Sequence, residues 1–285
     1  MKVALSAFAD EATDVFSEQL IALKQNNVPY IELRFLDGKS IVDVSIDEAK
    51  SYKQMMDDAG IKAWAIGSPL GKIKVDEDFD VHLEKAKHVF RLAQIFGTDK
   101  IRMFSFFTED CVKDRGEVLR KLNILKALAD EFKVKLYHEN EKDIYGAKAL
   151  ECKDILDNVH GINCVFDPAN FVQVNQPVGE ALEILQNRIG YYHIKDAMFV
   201  SGAVVPAGKG EGELDAVVKS ISQDTTLTVE PHLTVFTAYS SIDSSELKTE
   251  YVFESRMQAF CVAVNAIKEI LIKNGYKEEG QEWIK

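Results

Sequence analysis

Cysteine is scarce: Cys111, Cys152, Cys164 and Cys261 are the only four in 285 residues, and no two form a C-x-x-C pair. That scatter argues against a thiolate zinc site and a disulfide framework, and idle thiols in a reducing compartment are expected. Runs of lysine and arginine are missing too. The 34 basic residues stand against 46 acidic ones, giving a formal net charge of -12. Such a surface repels phosphate backbones and anionic lipid head groups, so neither nucleic acid nor a membrane is an expected partner. No apolar run approaches the length of a membrane span, and the opening "MKVALSAFADEA" reaches Asp10 and Glu11 too soon for a signal peptide. A cytoplasmic location is the expectation. Linkers and low-complexity tracts are absent as well, so residues 1–285 are expected to form one domain.

What the chain does have is repetition. Short β-rich apolar runs recur as "VALSAF", "YIELRFL", "KAWAIG", "KIRMFSF", "VKLYHE", "NCVFD", "YYHIK" and "TLTVE", with centres 27 to 38 residues apart. Helical spacing fills the intervals: Ala86, Val89, Phe90, Ala93 and Phe96 share one face, and Gly97 and Gly60 are natural left-handed stops. Eight strand and helix pairs in alternation point to a parallel sheet closed as a (β/α)8 TIM barrel, α/β in class. An open doubly wound sheet is the alternative, but "SAFADEA" stands where a glycine-rich nucleotide turn would follow the first strand. After the eighth strand comes a long polar stretch, "PHLTVFTAYSSIDSSELKTEY", and then a helix carrying Phe253, Met257, Phe260, Val264, Ile267 and Leu271. The polar stretch has three open readings: a variable surface loop, a lid over a site, or a contact with a second copy in a homo-oligomer.

In a barrel of this kind chemistry sits at the C-terminal strand ends. Strands five to eight end in Glu139, Asp167, His193 and Glu230, separated by 28, 26 and 37 residues, which is the βα repeat. All four are therefore expected at the barrel mouth. Two glutamates, an aspartate and one imidazole suit Mn²⁺, Mg²⁺ or Co²⁺ and admit Zn²⁺, with positions left for substrate oxygens. Taken singly, each acid is as well explained as a helix cap or a solvated loop residue.

The strings "HENEKDIYG", "FDPANF", "HIKDA", "VVPAGKGEGELD" and "VEPHL", with "FADE" at 8–11 and "SPLGKI" at 68–73, together resemble the sugar phosphate isomerase/epimerase family of xylose-isomerase-like TIM barrels. The resemblance spans nearly the whole chain. It implies that Glu139, Asp167, His193 and Glu230 hold one divalent metal ion and that Glu139 and Glu230 are the proton-transfer pair. The implied substrate is a small ketose, aldose or related polyol, isomerised or epimerised through an enediolate. Asp143 departs from the pattern, since related sequences carry Gly there.

Chemistry agrees independently. A metal chelating a carbonyl and the adjacent hydroxyl stabilises an enediolate, and carboxylates on opposite faces of the carbon allow inversion. Around these residues, His138 is read as a substrate contact or as facing outward, Asn170 as a partner of the ligands or a turn residue, and Lys195 as a cationic contact on the same face as His193. Arg102, Arg34 and Glu32 either line the mouth or form internal ion pairs, and Phe104 and Phe106 either wall a sugar or pack the core. "AGKGEGELD" invites a phosphate-loop reading, but Glu211 and Glu213 oppose it, so a mobile lip with Lys209 at the rim and a non-phosphorylated substrate are expected. Three other functions stay open: a dehydratase of keto-inositol type using the same enediolate, an abasic-site endonuclease of this fold, and a sugar-binding barrel without turnover. The endonuclease needs a histidine-rich three-zinc cluster, and only His138, His193 and His232 lie near strand ends.

Overall fold

A computed structural model describes residues 1–236, 248–249 and 251–285. Eight parallel strands close on themselves: β1 (Lys2–Ala7), β2 (Tyr30–Leu33), β3 (Lys62–Gly67), β4 (Lys100–Met103), β5 (Lys135–Glu139), β6 (Asn163–Phe166), β7 (Ile189–Ile194) and β8 (Thr225–Val229). Each pairs with its neighbours in sequence, and the barrel shuts where Val3–Ala7 of β1 lie in register with Thr225–Val229 of β8. All eight coincide with the apolar runs, as expected of strands covered on both faces. No helix among the described residues is long and apolar enough to cross a membrane.

Helices pack outside. Phe79–Phe96 buries Ala86, Val89, Phe90, Ala93 and Phe96 and stops at Gly97, whose φ is 76°. Ile46–Ala59 starts on a capping box between Ser45 and Glu48 and stops at Gly60. Inside the barrel, Ala65, Tyr137, Val165 and Tyr191 form a small apolar plug of their own, with Trp64 against it. Above that plug the strand tips turn charged.

Among the described residues, three hairpins decorate the barrel. Phe35–Leu36 and Lys39–Ser40 follow β2, joined by Asp37 and Gly38, which both have the positive φ that a tight two-residue turn demands. Asp196–Ala197 pairs with Val204–Val205 after β7. The third lies beyond the C-terminal helix Arg256–Lys273, where Lys277–Glu279 and Glu282–Ile284 fold back and Glu282–Ile284 runs antiparallel to Lys2–Ala4. It occupies the lower flank of β1, below the point at Ser6 where β2 begins to pair, and seats Trp283 in the core. The helix after β8 was legible in sequence, although Phe253 precedes its first turn; this hairpin was not. Most of the polar stretch before that helix, residues 237–247 and 250, lies outside the described residues.

Candidate metal centre

Four buried side chains that could ligate a metal meet at the mouth. One donor atom each from Glu139, Asp167, His193 and Glu230 lies within 4.8 Å of all the others. Alternation along β5 places Tyr137 and Glu139 inside the barrel and Leu136 outside. Asp167 follows β6 and caps the helix Pro168–Gln173 by accepting the Asn170 backbone N–H. Glu230 follows β8, with its N–H donated to the Ile194 carbonyl.

His193 sets the orientation of the group. Its Nδ1 is 2.9 Å from Glu139 Oε1 and 3.4 Å from Glu230 Oε2, while Nε2 is 3.2 Å from Glu32 Oε2. Glu32 is itself fixed by the Tyr191 hydroxyl at 2.9 Å. A carboxylate behind the far nitrogen is the arrangement that orients a ligating imidazole, here with its near nitrogen directed at the two glutamates. The two glutamates are mirror cases. Glu139 gives Oε2 to Arg102 at 3.2 Å, and Glu230 gives Oε1 to Arg34 at 3.0 Å, leaving one oxygen of each turned toward His193. Lys195 Nζ completes the ring, 3.0 Å from Asp167 Oδ2 and 3.3 Å from Glu230 Oε2.

Charge compensation follows this geometry. Burial alone would raise the Glu139 pKa, but His193 and Arg102 outweigh it and hold the carboxyl down at about 2. Glu230 is likewise held low against its burial by Lys195, His232 and His193. Asp167 goes the other way, pushed up to about 7 by burial, with Glu230 and Glu139 adding to the rise and Lys195 opposing it. His193 is raised, the charges of Glu139 and Glu32 overcoming its desolvation. Three carboxylates and one imidazole, with Asp167 Oδ2 facing the Lys195 ammonium but accepting no well-directed hydrogen bond, form a donor set that fits a hard or borderline divalent cation.

Beside the cluster opens a cavity of about 630 Å³, lined by Arg34, Phe35, Gly67, Pro69, Lys72, Arg102 and Phe104 among others. Arg102 and Lys72 both lie over the Phe104 ring, at 4.6 and 4.4 Å. Gly71 holds this wall: its φ is +88°, and a Cβ there would stand 2.1 Å from the Phe104 carbonyl oxygen.

The family model described as "Xylose isomerase-like TIM barrel" matches residues 20–234. The chain belongs to the xylose isomerase-like TIM barrel family. Solved structures with the same fold include the probable 3-DHS dehydratase AsbF from Bacillus anthracis, 15% identical with a TM-score of 0.71, over 94% of this chain and 99% of that one. L-ribulose 3-epimerase is 16% identical with a TM-score of 0.72, over 96% and 95% of the two chains. The IOLI protein with a bound zinc atom is 17% identical with a TM-score of 0.71, over 96% and 99%. At these identities the likeness establishes the fold. No curated protein matches the sequence.

Within this family fold the structure sorts the remaining candidates. Lys195 shares the inner face with His193. Asn170 reaches Glu139 Oε1 at 3.4 Å and the Asn140 carbonyl at 2.8 Å, tying the ends of β5 and β6 together. Arg102 both lines the cavity and binds Glu139, so the ion-pair reading and the mouth-lining reading hold at once. Phe104 lines the cavity, whereas Phe106 packs outside against Phe79 and His82.

Two expectations need correcting. His138, read as a substrate contact, lies on the outer face of β5, bonded to Ser105 Oγ at 2.8 Å; a Cβ on Gly146 would meet its ring and Ile155. Strand alternation sends it outward because Glu139 points in, and burial depresses its pKa to about 4. The lip around Lys209 is pinned. The backbone N–H groups of Gly208, Gly210 and Gly212 all donate to the buried Asp196 carboxylate at 2.8–2.9 Å. The glycine string does form an anion-binding nest, but the anion is the protein's own side chain. Lys209 is exposed on that loop, with no ion pair to the cluster among the described residues.

Asp143 has a φ of 64°, the backbone region glycine adopts most freely. Sequence reasoning missed Asp10, Glu11 and His232 as neighbours of the centre. The "FADE" string was the available signal for the first two.

Proposed function

We propose that the protein is a divalent-metal-dependent isomerase or epimerase of a small sugar or related polyol, working through an enediolate. The observation that carries this reading is the convergence of Glu139, Asp167, His193 and Glu230 beside a cavity whose guanidinium groups, Arg102 and Arg34, bind the two glutamates. A divalent ion held by these four residues would supply Lewis-acid polarisation of a carbonyl and its neighbouring hydroxyl. The rest is the chain's own work.

Glu139 and Glu230 approach from β5 and β8, so one removes the carbon-bound proton and the other returns it on the opposite face, which inverts the centre. Return by the same carboxylate to the adjacent carbon isomerises instead. Arg102 and Arg34 fix one oxygen of each glutamate, restricting the rotamers from which a proton is taken or given. Lys195, positioned by Asp167 and Glu230, binds substrate oxygens on which negative charge develops. Phe104 and Pro69 give the apolar wall for the carbon face of the substrate, and a cavity with several cations already paired suits a neutral polyol.

The test is turnover of a panel of free ketoses, aldoses and keto-inositols in deuterium oxide with Mn²⁺, Mg²⁺, Co²⁺ or Zn²⁺. Metal-dependent product with solvent deuterium at the reacting carbon is expected, and Glu139→Gln and Glu230→Gln should each lower kcat at least a thousandfold while keeping the fold. Wild-type rates in both variants would remove the proposed chemistry. A dehydrated product would favour the dehydratase reading, while binding without turnover under every metal would favour the sugar-binding one.

A further inference from the structure

A second set of buried ligands adjoins the first. Glu11, Glu230 and His232 also bring one donor atom each to within 4.8 Å of one another. Glu230 belongs to both sets, with Oε2 toward His193 and Oε1 toward His232 Nε2, which is 3.4 Å away. His232 Nε2 is also 3.4 Å from Glu11 Oε1. The imidazole is held there by a backbone with φ of 44°, uncommon for a histidine, whose N–H donates to Glu11 Oε2 at 2.6 Å.

A cation already occupies this second position. Arg34 NH2 is 2.9 Å from Glu11 Oε1 and NH1 is 3.0 Å from Glu230 Oε1, the same two oxygens that face His232. Its Nε takes Asp10 Oδ2 at 3.0 Å, and the Phe8 ring lies 4.1 Å beneath the guanidinium carbon. The planar fork thus spends each of its three nitrogens on a different buried carboxylate. Without it, Asp10 and Glu11 would lose their guanidinium partner and Glu230 Oε1 would keep only His232, leaving three buried carboxylates around an imidazole, a strong pull on any divalent ion.

We propose that Arg34 is a built-in replacement for a second metal ion. The guanidinium keeps Glu230 Oε1 from joining a second ion and, as a residue lining the cavity, presents a permanent positive charge where that ion would stand. The number of exchangeable metals is thereby kept one lower than the ligands allow. The total count rests on the proposed function; the increment on removing Arg34 does not.

The experiment counts Mn²⁺ per chain by elemental analysis after saturation and gel filtration, with near-ultraviolet circular dichroism as the fold control. Arg34→Ala is expected to hold one more ion than wild type. Arg34→Ala combined with Glu11→Gln should return to the wild-type count, since Glu11 belongs only to the second set, and Arg34→Lys should match wild type. If Arg34→Ala unfolds without metal, millimolar Mn²⁺ should restore its fold. Two ions in wild type, an unchanged count in folded Arg34→Ala, an extra ion surviving Glu11→Gln, or no rescue of an unfolded variant would each overturn the proposal. A wild type with no metal and an Arg34→Ala chain with one would instead overturn the reading of the first centre and leave this one standing.

Discussion

Asp196→Ala tests how the loop after β7 is held. The Asp196 carboxylate accepts four backbone N–H groups, from Ala197 at 2.9 Å, Gly208 at 2.9 Å, Gly210 at 2.9 Å and Gly212 at 2.8 Å. Truncation strands all four, but not equally. Gly208 is exposed and Gly210 half-buried, so water replaces the carboxylate there at small cost, whereas Ala197 and Gly212 are buried. A buried donor left without a partner costs about 1–3 kcal/mol, so two give roughly 2–6 kcal/mol, a large part of a typical domain's stability. The carboxylate approaches the loop so closely that a Cβ on Gly210 or Gly212 would stand 2.4 or 2.8 Å from Asp196 Oδ1, which is why glycine stands at both positions. Equilibrium urea unfolding measures the loss, and limited trypsin digestion localises it, since Lys209 is an exposed cleavage point on the loop. Cleavage after Lys209 should accelerate at least tenfold in Asp196→Ala while other sites keep their rates. A midpoint change worth less than about 0.5 kcal/mol, together with unchanged cleavage after Lys209, would refute the claim that this carboxylate is the loop's anchor.

Two further outcomes follow from the structure. Glu32→Gln leaves His193 Nε2 without its charged partner, so Mn²⁺ affinity measured by titration should weaken about 10- to 100-fold with the fold retained; an unchanged affinity would show that Glu32 does not orient the ligand. His82 accepts the Gly71 N–H at 3.1 Å as a neutral imidazole, and burial, helped by Lys85 and Lys121, depresses its pKa from 6.5 to about 4. Between those pH values the unfolded chain binds the proton that the folded chain refuses. Its contribution is therefore complete above pH 6.5 and is lost as pH falls toward 4, by at most about 3 kcal/mol. His82→Gln should flatten that part of a stability-versus-pH curve, and identical slopes in the two proteins would exclude the assignment.

The sequence by itself determined the barrel and the identity of the four converging side chains. Both rest on local periodicity: an apolar run at each βα repeat makes a strand covered on both faces, and the residue at its C-terminal end is carried to a shared mouth whatever the loops do. Glu139, Asp167, His193 and Glu230 were legible for that reason, as was the shared face of His193 and Lys195. Tertiary structure alone decided which partner each charge takes. Glu11 and Glu230 are 219 residues apart, and only closure of β1 against β8 brings both to Arg34. The same holds for Asp196, whose carboxylate fills a glycine nest that composition could not tell from a phosphate site. Ion pairing depends on distances of about 3 Å between groups remote in sequence, and no spacing along a chain encodes those until the barrel has closed.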